Sequence, residues 1–132
     1  LLFFDSQPFK ADRTRDADWN RGAYLVRHLG HCGECHTPRN FLGARDDALE
    51  LAGNPDGPDG EKIPNIRQDR KSGIGRWTIE DMLLFLELGM LPDGDFAGSS
   101  MSAVIDDNTS QLTADRRAIA VYLQSLAPLD SP

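Results

Sequence analysis

The chain lacks the residues that would join distant parts of a fold covalently. It has only two cysteines in 132 residues, at positions 32 and 35, so no disulfide can connect separate segments. Long apolar runs are also missing, since none approaches the roughly 20 residues that a membrane-spanning helix needs. No segment shows a convincing alternation of apolar and polar residues, the pattern typical of a half-buried strand. These absences favour one helical domain without a membrane span.

Positive charge is in short supply. Lysine and arginine total 14 against 21 acidic residues, which gives a net charge of −7 and a sequence pI of about 4.8. This balance argues against nucleic acid as a partner, because nucleic-acid-binding domains are basic. An acidic surface instead suits electrostatic steering towards a basic partner protein. The chain does not begin with Met, and its apolar start is too short for a signal peptide, so we expect a mature or excised fragment.

Histidine is confined to the short stretch from His28 to His36, which also contains both cysteines. Residues 32–36, Cys-Gly-Glu-Cys-His, have the C-x-x-C-H pattern of covalent haem attachment. In a helical turn, residues three apart share one face, so both thiols can reach two vinyl groups on one edge of a porphyrin. The next residue then lies beneath the ring, where its imidazole can ligate the iron. The pattern predicts one c-type haem, bound through Cys32 and Cys35 and ligated by His36.

The cysteine pair has two other interpretations. A thioredoxin-like redox motif expects a strand and helix around it, and no strand is predicted here. A structural zinc site usually takes four ligands from two separated pairs. No second group of cysteine or histidine follows downstream. A haem-free metal or disulfide module is therefore the weaker alternative, and a colourless protein would identify it.

We divide the chain into an N-terminal arm or interdomain linker, residues 1–16, and a haem domain, residues 17–132. The arm combines the apolar start Leu1-Leu-Phe-Phe4 with Pro8 and a charged run. In the haem domain we predict three or four helices from periodicity and capping signals: from Asp18 to about His31, from Thr78-Ile-Glu-Asp81 to about Gly89, from a Thr113 cap to about Leu126, and a short turn over 102–108. Residues 39–77 and 91–100 are predicted loops, and the longer one is placed to wrap a cofactor edge.

Local signals refine these boundaries. Asp16 or Asp18 can cap the first helix, and Gly30 and Gly33 are expected to ease the turn into Cys32. Gly22 lies inside the first helix, where glycine costs about 1 kcal/mol relative to alanine. Such a residue is best explained by the close approach of another helix.

The second axial position of the iron requires a ligand from elsewhere in the chain. His28 and His31 lie so close before the motif that they belong to the side of His36. Of the three methionines, Met82 falls on the apolar stripe of a helix and is best explained as core packing. Met101 follows a polar loop and is favoured over Met90, which follows a helix end. A His/Met pair raises the reduction potential relative to harder donors and leaves no open position for a substrate or dioxygen.

The chain resembles class I-type bacterial cytochrome c domains, and more narrowly the haem domains in cytochrome subunits of alcohol and sugar-acid dehydrogenases. The matching segments cover about residues 17–127. They are Trp19-Asn-Arg-Gly-Ala-Tyr-Leu25, His31-Cys-Gly-Glu-Cys-His-Thr-Pro-Arg-Asn40, Pro64-Asn-Ile66, Gly73-Ile-Gly-Arg-Trp77, the loop ending at Met101 and Ala118-Ile-Ala-Val-Tyr-Leu123. The resemblance implies an all-α cytochrome c fold, with helices and long loops wrapped around one covalently bound haem.

The resemblance also implies roles for single residues. Cys32 and Cys35 would form the thioethers, His36 would be the proximal ligand and Met101 the distal one. Gly22 and Tyr24 would cross the last helix near Tyr122. Pro38 would help to fix the His36 imidazole through its backbone carbonyl or its ring, because a ligating histidine usually donates its other N–H to a partner. Candidates for contacts with the propionates or the haem edge are Arg39, Asn65, Arg67 and Trp77.

Single-electron transfer is the function that the resemblance implies, with no catalytic residue in the chain itself. The electron would pass from a periplasmic dehydrogenase or a neighbouring haem domain to a downstream acceptor, and the implied location is the periplasm. The alternative is a haem enzyme or gas-binding sensor with a labile distal ligand, which would bind carbon monoxide rapidly when reduced.

Overall fold

The computed structural model describes residues 7–132, apart from the side chains of Asp59 and Ser99. The helices are α1 (Ala17–Tyr24), α2 (Cys32–His36), α3 (Ile79–Leu88), α4 (Ser99–Asp107) and α5 (Thr113–Ser125). Shorter helical pieces are a π-helical turn at Leu25–Leu29 and 3₁₀ turns at Asp47–Leu49, Pro58–Gly60 and Thr109–Gln111. Within the described part of the chain, β pairing is limited to three isolated bridges. The all-α prediction is confirmed, and the apolar start Leu1–Phe4 lies outside the described residues.

The start of α1 and both ends of α3 follow their local sequence signals. The Asp16 side chain accepts a hydrogen bond from the Trp19 amide and caps α1. Thr78 and Asp81 form a reciprocal capping box at the start of α3, and Gly89 ends that helix with φ of 74°. The predicted Thr113 cap is wrong. Thr113 is the first helical residue of α5, and the residue before it, Leu112, has no side-chain oxygen with which to cap the helix.

The crossing of α1 and α5 forms the centre of the fold. At Gly22 an added Cβ would clash with the Ala118 carbonyl and lie 2.6 Å from the Cβ of Tyr122. Glycine therefore lets the two backbones touch, as the sequence indicates. The Trp19 ring meets the Tyr122 ring edge-on at 5.2 Å, and Arg21 pairs with Asp115 at 2.8 Å on the surface of the crossing.

The long segment 37–77 is an ordered part of the fold. Leu51 and Ile74 are buried in the same core as the helix crossing. Thr37 Oγ1 accepts a hydrogen bond from the Leu51 amide at 3.0 Å, in a buried position. A backbone bridge between Asn54 and Ile63 closes one of its loops. The segment therefore contributes to the core and carries its own hydrogen bonds, besides lying beside the predicted haem ligand.

The described part of the arm, residues 7–16, packs on α1. Phe9 contacts the Tyr24 ring at 5.6 Å and the His28 ring at 5.3 Å, and Asn20 exchanges hydrogen bonds with the Asp12 backbone. Among the helices described, none combines the length and the apolar character that a membrane crossing would need.

Candidate functional site

The two cysteines and His36 lie together on the short helix α2. His31 precedes it in the left-handed conformation, with φ of 49°, and this residue makes the bend between the π-helical turn and α2. Gly30 has an ordinary φ of −84°. The expectation that glycines make this turn is therefore wrong. Gly30 is needed for space instead, because an added Cβ would lie 2.7 Å from the Leu25 carbonyl.

The thiols of Cys32 and Cys35 are both free and partly exposed. Burial raises the pKa of Cys32 to about 11, so its thiol is protonated at neutral pH. Redox-active cysteines of the thioredoxin kind have lowered pKa values. The described residues also contain no group of three or more His, Cys, Asp and Glu side chains arranged to hold a metal ion. Neither a thioredoxin-like motif nor a zinc site is supported by this environment.

The His36 ring is held by a backbone carbonyl. Its Nδ1 lies 2.8 Å from the oxygen of Pro64, and since a carbonyl can only accept, Nδ1 carries the proton. Nε2 is then the nitrogen with the free lone pair, the atom that can ligate a metal. Burial lowers the pKa of His36, while the bond to Pro64 raises it in part. The imidazole is therefore a neutral, oriented donor, which is what an axial ligand of a haem iron requires.

Pro38 does not supply the carbonyl that fixes His36, so that part of the expectation is wrong, while a role for the Pro38 ring stays a prediction. The Pro38 oxygen accepts a hydrogen bond from the Asp46 amide at 2.9 Å. The Pro64 carbonyl takes the role instead, from 28 residues along the chain. The buried Pro38 follows α2 and is still a candidate for a haem contact. Sequence reasoning missed Pro64 because any residue carries a carbonyl, so no side-chain signal marks it.

Glu34, between the two cysteines, forms ion pairs with two arginines. Its carboxylate oxygens lie 2.8 Å from Arg39 and 3.3 Å from Arg45. Arg39 also donates to the Gly43 carbonyl at 3.0 Å. These contacts fasten the turn that follows α2 to α2 itself, so the guanidinium of Arg39 is occupied by protein partners.

Asn65 and Arg67 are likewise engaged within the protein. Asn65 is only 2% exposed, and it donates to the Leu129 carbonyl at 2.7 Å while accepting from the Arg67 amide. Arg67 donates to the carbonyls of Ala127 and Glu50. The structure thus gives both side chains a role in joining loop and tail, which the sequence did not indicate.

Trp77 is the one of these four candidates whose side-chain donor has no partner among the described residues. Its ring is half-buried and meets the Phe85 ring edge-on at 5.3 Å. An indole N–H beside an apolar ring surface is suited to a carboxylate at the edge of a porphyrin. Trp77 therefore stays a predicted propionate contact.

The three methionines occupy different surroundings. Met82 is 2% exposed in the core, in accordance with its assignment to packing. Met90 begins a hairpin in which it is bridged to Phe96. Met101 lies half-buried in the first turn of α4, a nine-residue helix where a loop and a shorter turn were expected. The axial role of Met101 stays a prediction.

His28 packs on an aromatic cluster, with the ring of Tyr24 stacked on it at 6.1 Å and Phe9 on its edge. It lies in the π-helical turn before the motif. The exclusion of His28 as a second axial ligand stays a prediction.

The comparisons with known proteins relate the chain to cytochromes. It is 41% identical over 122 residues to the fructose dehydrogenase cytochrome subunit of Gluconobacter japonicus, covering 92% of this chain and 25% of that protein. It is 49% identical over 112 residues to a dihaem c-type cytochrome of Cereibacter sphaeroides, covering 83% and 36%. The gluconate 2-dehydrogenase cytochrome c subunit of Pantoea cypripedii is 36% identical over 135 residues, covering 96% and 30%.

The chain therefore spans about a quarter to a third of the length of these relatives. No family model matches it.

Proposed function

We propose that this chain, which is a cytochrome c domain like those of dehydrogenase cytochrome subunits, transfers single electrons through a haem bound to Cys32 and Cys35 and ligated by His36 and Met101. The observation that carries the proposal is the environment of His36. Its Nδ1–H is committed to the Pro64 carbonyl at 2.8 Å, which leaves the lone pair of Nε2 free to act as a ligand.

Each residue has a defined task in this proposal. A bound haem supplies one-electron oxidation and reduction at its iron. Cys32 and Cys35, three apart on α2, would hold the haem from one helical face by adding their thiols to its two vinyl groups. The Pro64 carbonyl orients the imidazole of His36 and increases its basicity. The thioether of Met101 would be the second ligand of the iron, a soft donor that would keep small molecules from it.

We further propose that the electron comes from a dehydrogenase or from another haem domain, and passes to a downstream acceptor. Several relatives are named as subunits of dehydrogenases, and one is named as a dihaem cytochrome. The acidic surface, with its net charge of −7, favours encounter with a basic partner. Because covalent haem attachment in bacterial relatives of this kind takes place outside the cytoplasmic membrane, the proposed location is the periplasm.

The test is the visible spectrum of the protein produced in a bacterial periplasm with haem-attachment machinery. Reduced protein should show sharp bands that do not change on addition of carbon monoxide, because both axial positions are filled. A shift with carbon monoxide would favour the alternative of a haem enzyme or gas sensor. A colourless product would contradict the proposal entirely.

Two methionine variants test the distal ligand. Met101→Ala should open the iron to carbon monoxide and lower the reduction potential, because the soft donor is lost. Met90→Ala is the matched control, and it should leave both properties unchanged. The opposite result, with carbon monoxide binding only to Met90→Ala, would transfer the distal role to Met90.

A further inference from the structure

The Pro64–Asn65 peptide lies between the haem-attachment helix and the C-terminal tail. On one side, Gly53 donates its amide to the His36 carbonyl at 2.8 Å. An added Cβ on Gly53 would lie 2.9 Å from the Asn65 nitrogen and 3.2 Å from the carbonyl carbon of Pro64. Backbone therefore packs directly on this peptide, and its position is coupled to the end of α2.

On the other side, Asn65 binds the peptide to the tail that follows α5, which we define as residues 127–131. The buried Asn65 amide donates to the Leu129 carbonyl at 2.7 Å, and more weakly to Ser72 Oγ at 3.3 Å. Its Oδ1 accepts from the Arg67 amide at 2.8 Å. Three of the four hydrogen bonds that an asparagine side chain can make are thus formed within the protein.

The tail is held at further points along the same loop. Arg67 Nε donates to the Ala127 carbonyl at 2.9 Å. Ser72 Oγ lies 2.9 Å from the carboxylates of both Asp69 and Asp130, to one of which it can donate at a time, and it accepts from the Ser131 amide at 3.2 Å. The residue after Pro64 is therefore fastened to a tail that is itself anchored at both ends.

We propose that Asn65 is a positioning residue, which fastens the Pro64 peptide to the tail and thereby sets the hydrogen bond that His36 donates. This inference rests on the proposed function, in which His36 is an axial ligand. A well-aligned bond from Nδ1–H to a fixed carbonyl makes the imidazole more basic. A more basic ligand stabilises the ferric over the ferrous iron, so Asn65 and the tail keep the reduction potential low.

The test compares reduction potentials of holoprotein variants. Asn65→Ala removes the donor of the Asn65–Leu129 hydrogen bond, and a chain that ends at Pro128 removes its acceptor. Both should raise the potential, by an amount equal to a threefold to tenfold change in the redox equilibrium constant, where tenfold is about 59 mV for one electron. Asp130→Asn controls for the charge that the shortened chain loses, and it should give a smaller shift.

Gln68→Leu controls for a merely structural role. Gln68 lies on the same loop and donates to the Leu123 carbonyl at 3.1 Å, but it does not adjoin Pro64. Its loss should lower the stability and leave the potential unchanged. In reduced protein, NMR should also show faster solvent exchange of the His36 Nδ1 proton in Asn65→Ala than in Gln68→Leu.

The inference is wrong if both Asn65→Ala and the shortened chain have the wild-type potential, or if Gln68→Leu shifts it as much as they do. If Asn65→Ala fails to fold, the shortened chain and its Nδ1 exchange rate decide the question. A failure of the proposed function is distinguishable from a failure of this inference. If the proposed function is wrong, the unaltered protein has an abnormal visible spectrum. If only the inference is wrong, the spectra are normal and the variants have the wild-type reduction potential.

Discussion

The α1–α5 crossing and the segment 37–77 are stabilised by different interactions. In the crossing, helices meet through a glycine, an aromatic pair and apolar side chains, and the ion pairs Arg21–Asp115 and Arg117–Asp18 add charged contacts at its surface. In segment 37–77, which has only short helical turns and isolated bridges, hydrogen bonds between backbone groups are joined by hydrogen bonds from side chains to the backbone. The crossing therefore depends on space, whereas the segment depends on the completeness of individual hydrogen bonds.

The two regions also contribute differently to the candidate site. The crossing positions the helix that precedes the haem motif, but it supplies none of the predicted ligands. Segment 37–77 supplies the Pro64 carbonyl that orients His36. A small change in the crossing should thus affect folding, while a small change in the segment should affect the environment of the ligand as well.

The largest expected effect tests the space at the crossing. Gly22→Ala would place a methyl group against the Ala118 carbonyl, and it should lower the free energy of unfolding by about 2–3 kcal/mol, as overpacking does. In an unobstructed helix the same change normally stabilises by about 1 kcal/mol. Chemical denaturation of the holoprotein, monitored by circular dichroism, measures the free energy of unfolding of the variant and of the wild type.

Gly98→Ala is the control for Gly22, because nothing lies within 4 Å of the added methyl group. It should cost about 1 kcal/mol or less, from a weaker cap of α4. Equal losses in the two variants would show that the crossing has more room than the geometry allows.

The next effect concerns a single hydrogen bond in segment 37–77. Thr37→Val keeps the shape of a side chain that is 1% exposed but leaves the buried Leu51 amide without its acceptor. An unsatisfied buried amide costs about 2 kcal/mol. The free energy of unfolding should fall by that amount, and Thr37→Ser should restore most of it. If Thr37→Val has the same free energy of unfolding as the wild type, then this hydrogen bond does not stabilise the segment.

A smaller effect is expected from the ion pair on the crossing. The hydrogen bond from Arg21 lowers the pKa of Asp115. Since the folded value is then below the unfolded one, the stabilisation is present above the usual aspartate pKa and is lost as the pH falls through the folded value. Asp115→Asn should cost about 0.5 kcal/mol at pH 7, a typical value for an exposed pair, and nothing near pH 2.

Denaturation of the wild type and of Asp115→Asn at both pH values measures the contribution of the ion pair to the free energy of unfolding. A difference that does not shrink in acid would mean that Asp115 stabilises α5 by another route.

The smallest effect is expected at the turn after α2. Phe41 is 95% exposed, so Phe41→Ser should change the free energy of unfolding by less than about 0.5 kcal/mol. The turn is held through Asn40 Oδ1, which accepts from the amides of Leu42 and Ala44. A larger loss would indicate that Phe41 packs on the proposed haem.

Several features were determined by the sequence alone, because their causes are local. The spacing of Cys32, Cys35 and His36 predicts the helical turn α2, and the capping box at Thr78 marks the start of α3. Gly22 indicates a helix contact because a glycine in a helix needs a reason. The missed bend at His31 shows the limit of this approach, since local preference favours glycine for a left-handed residue.

Only the tertiary structure decided how His36 is held and what Asn65 does. The partner of His36 is a backbone oxygen 28 residues away, and that of Asn65 is a backbone oxygen 64 residues away. Backbone carbonyls are the same in every residue, so no side-chain pattern identifies the one that is used. Their positions follow from how the loop and the tail pack together, and that packing is a property of the whole chain.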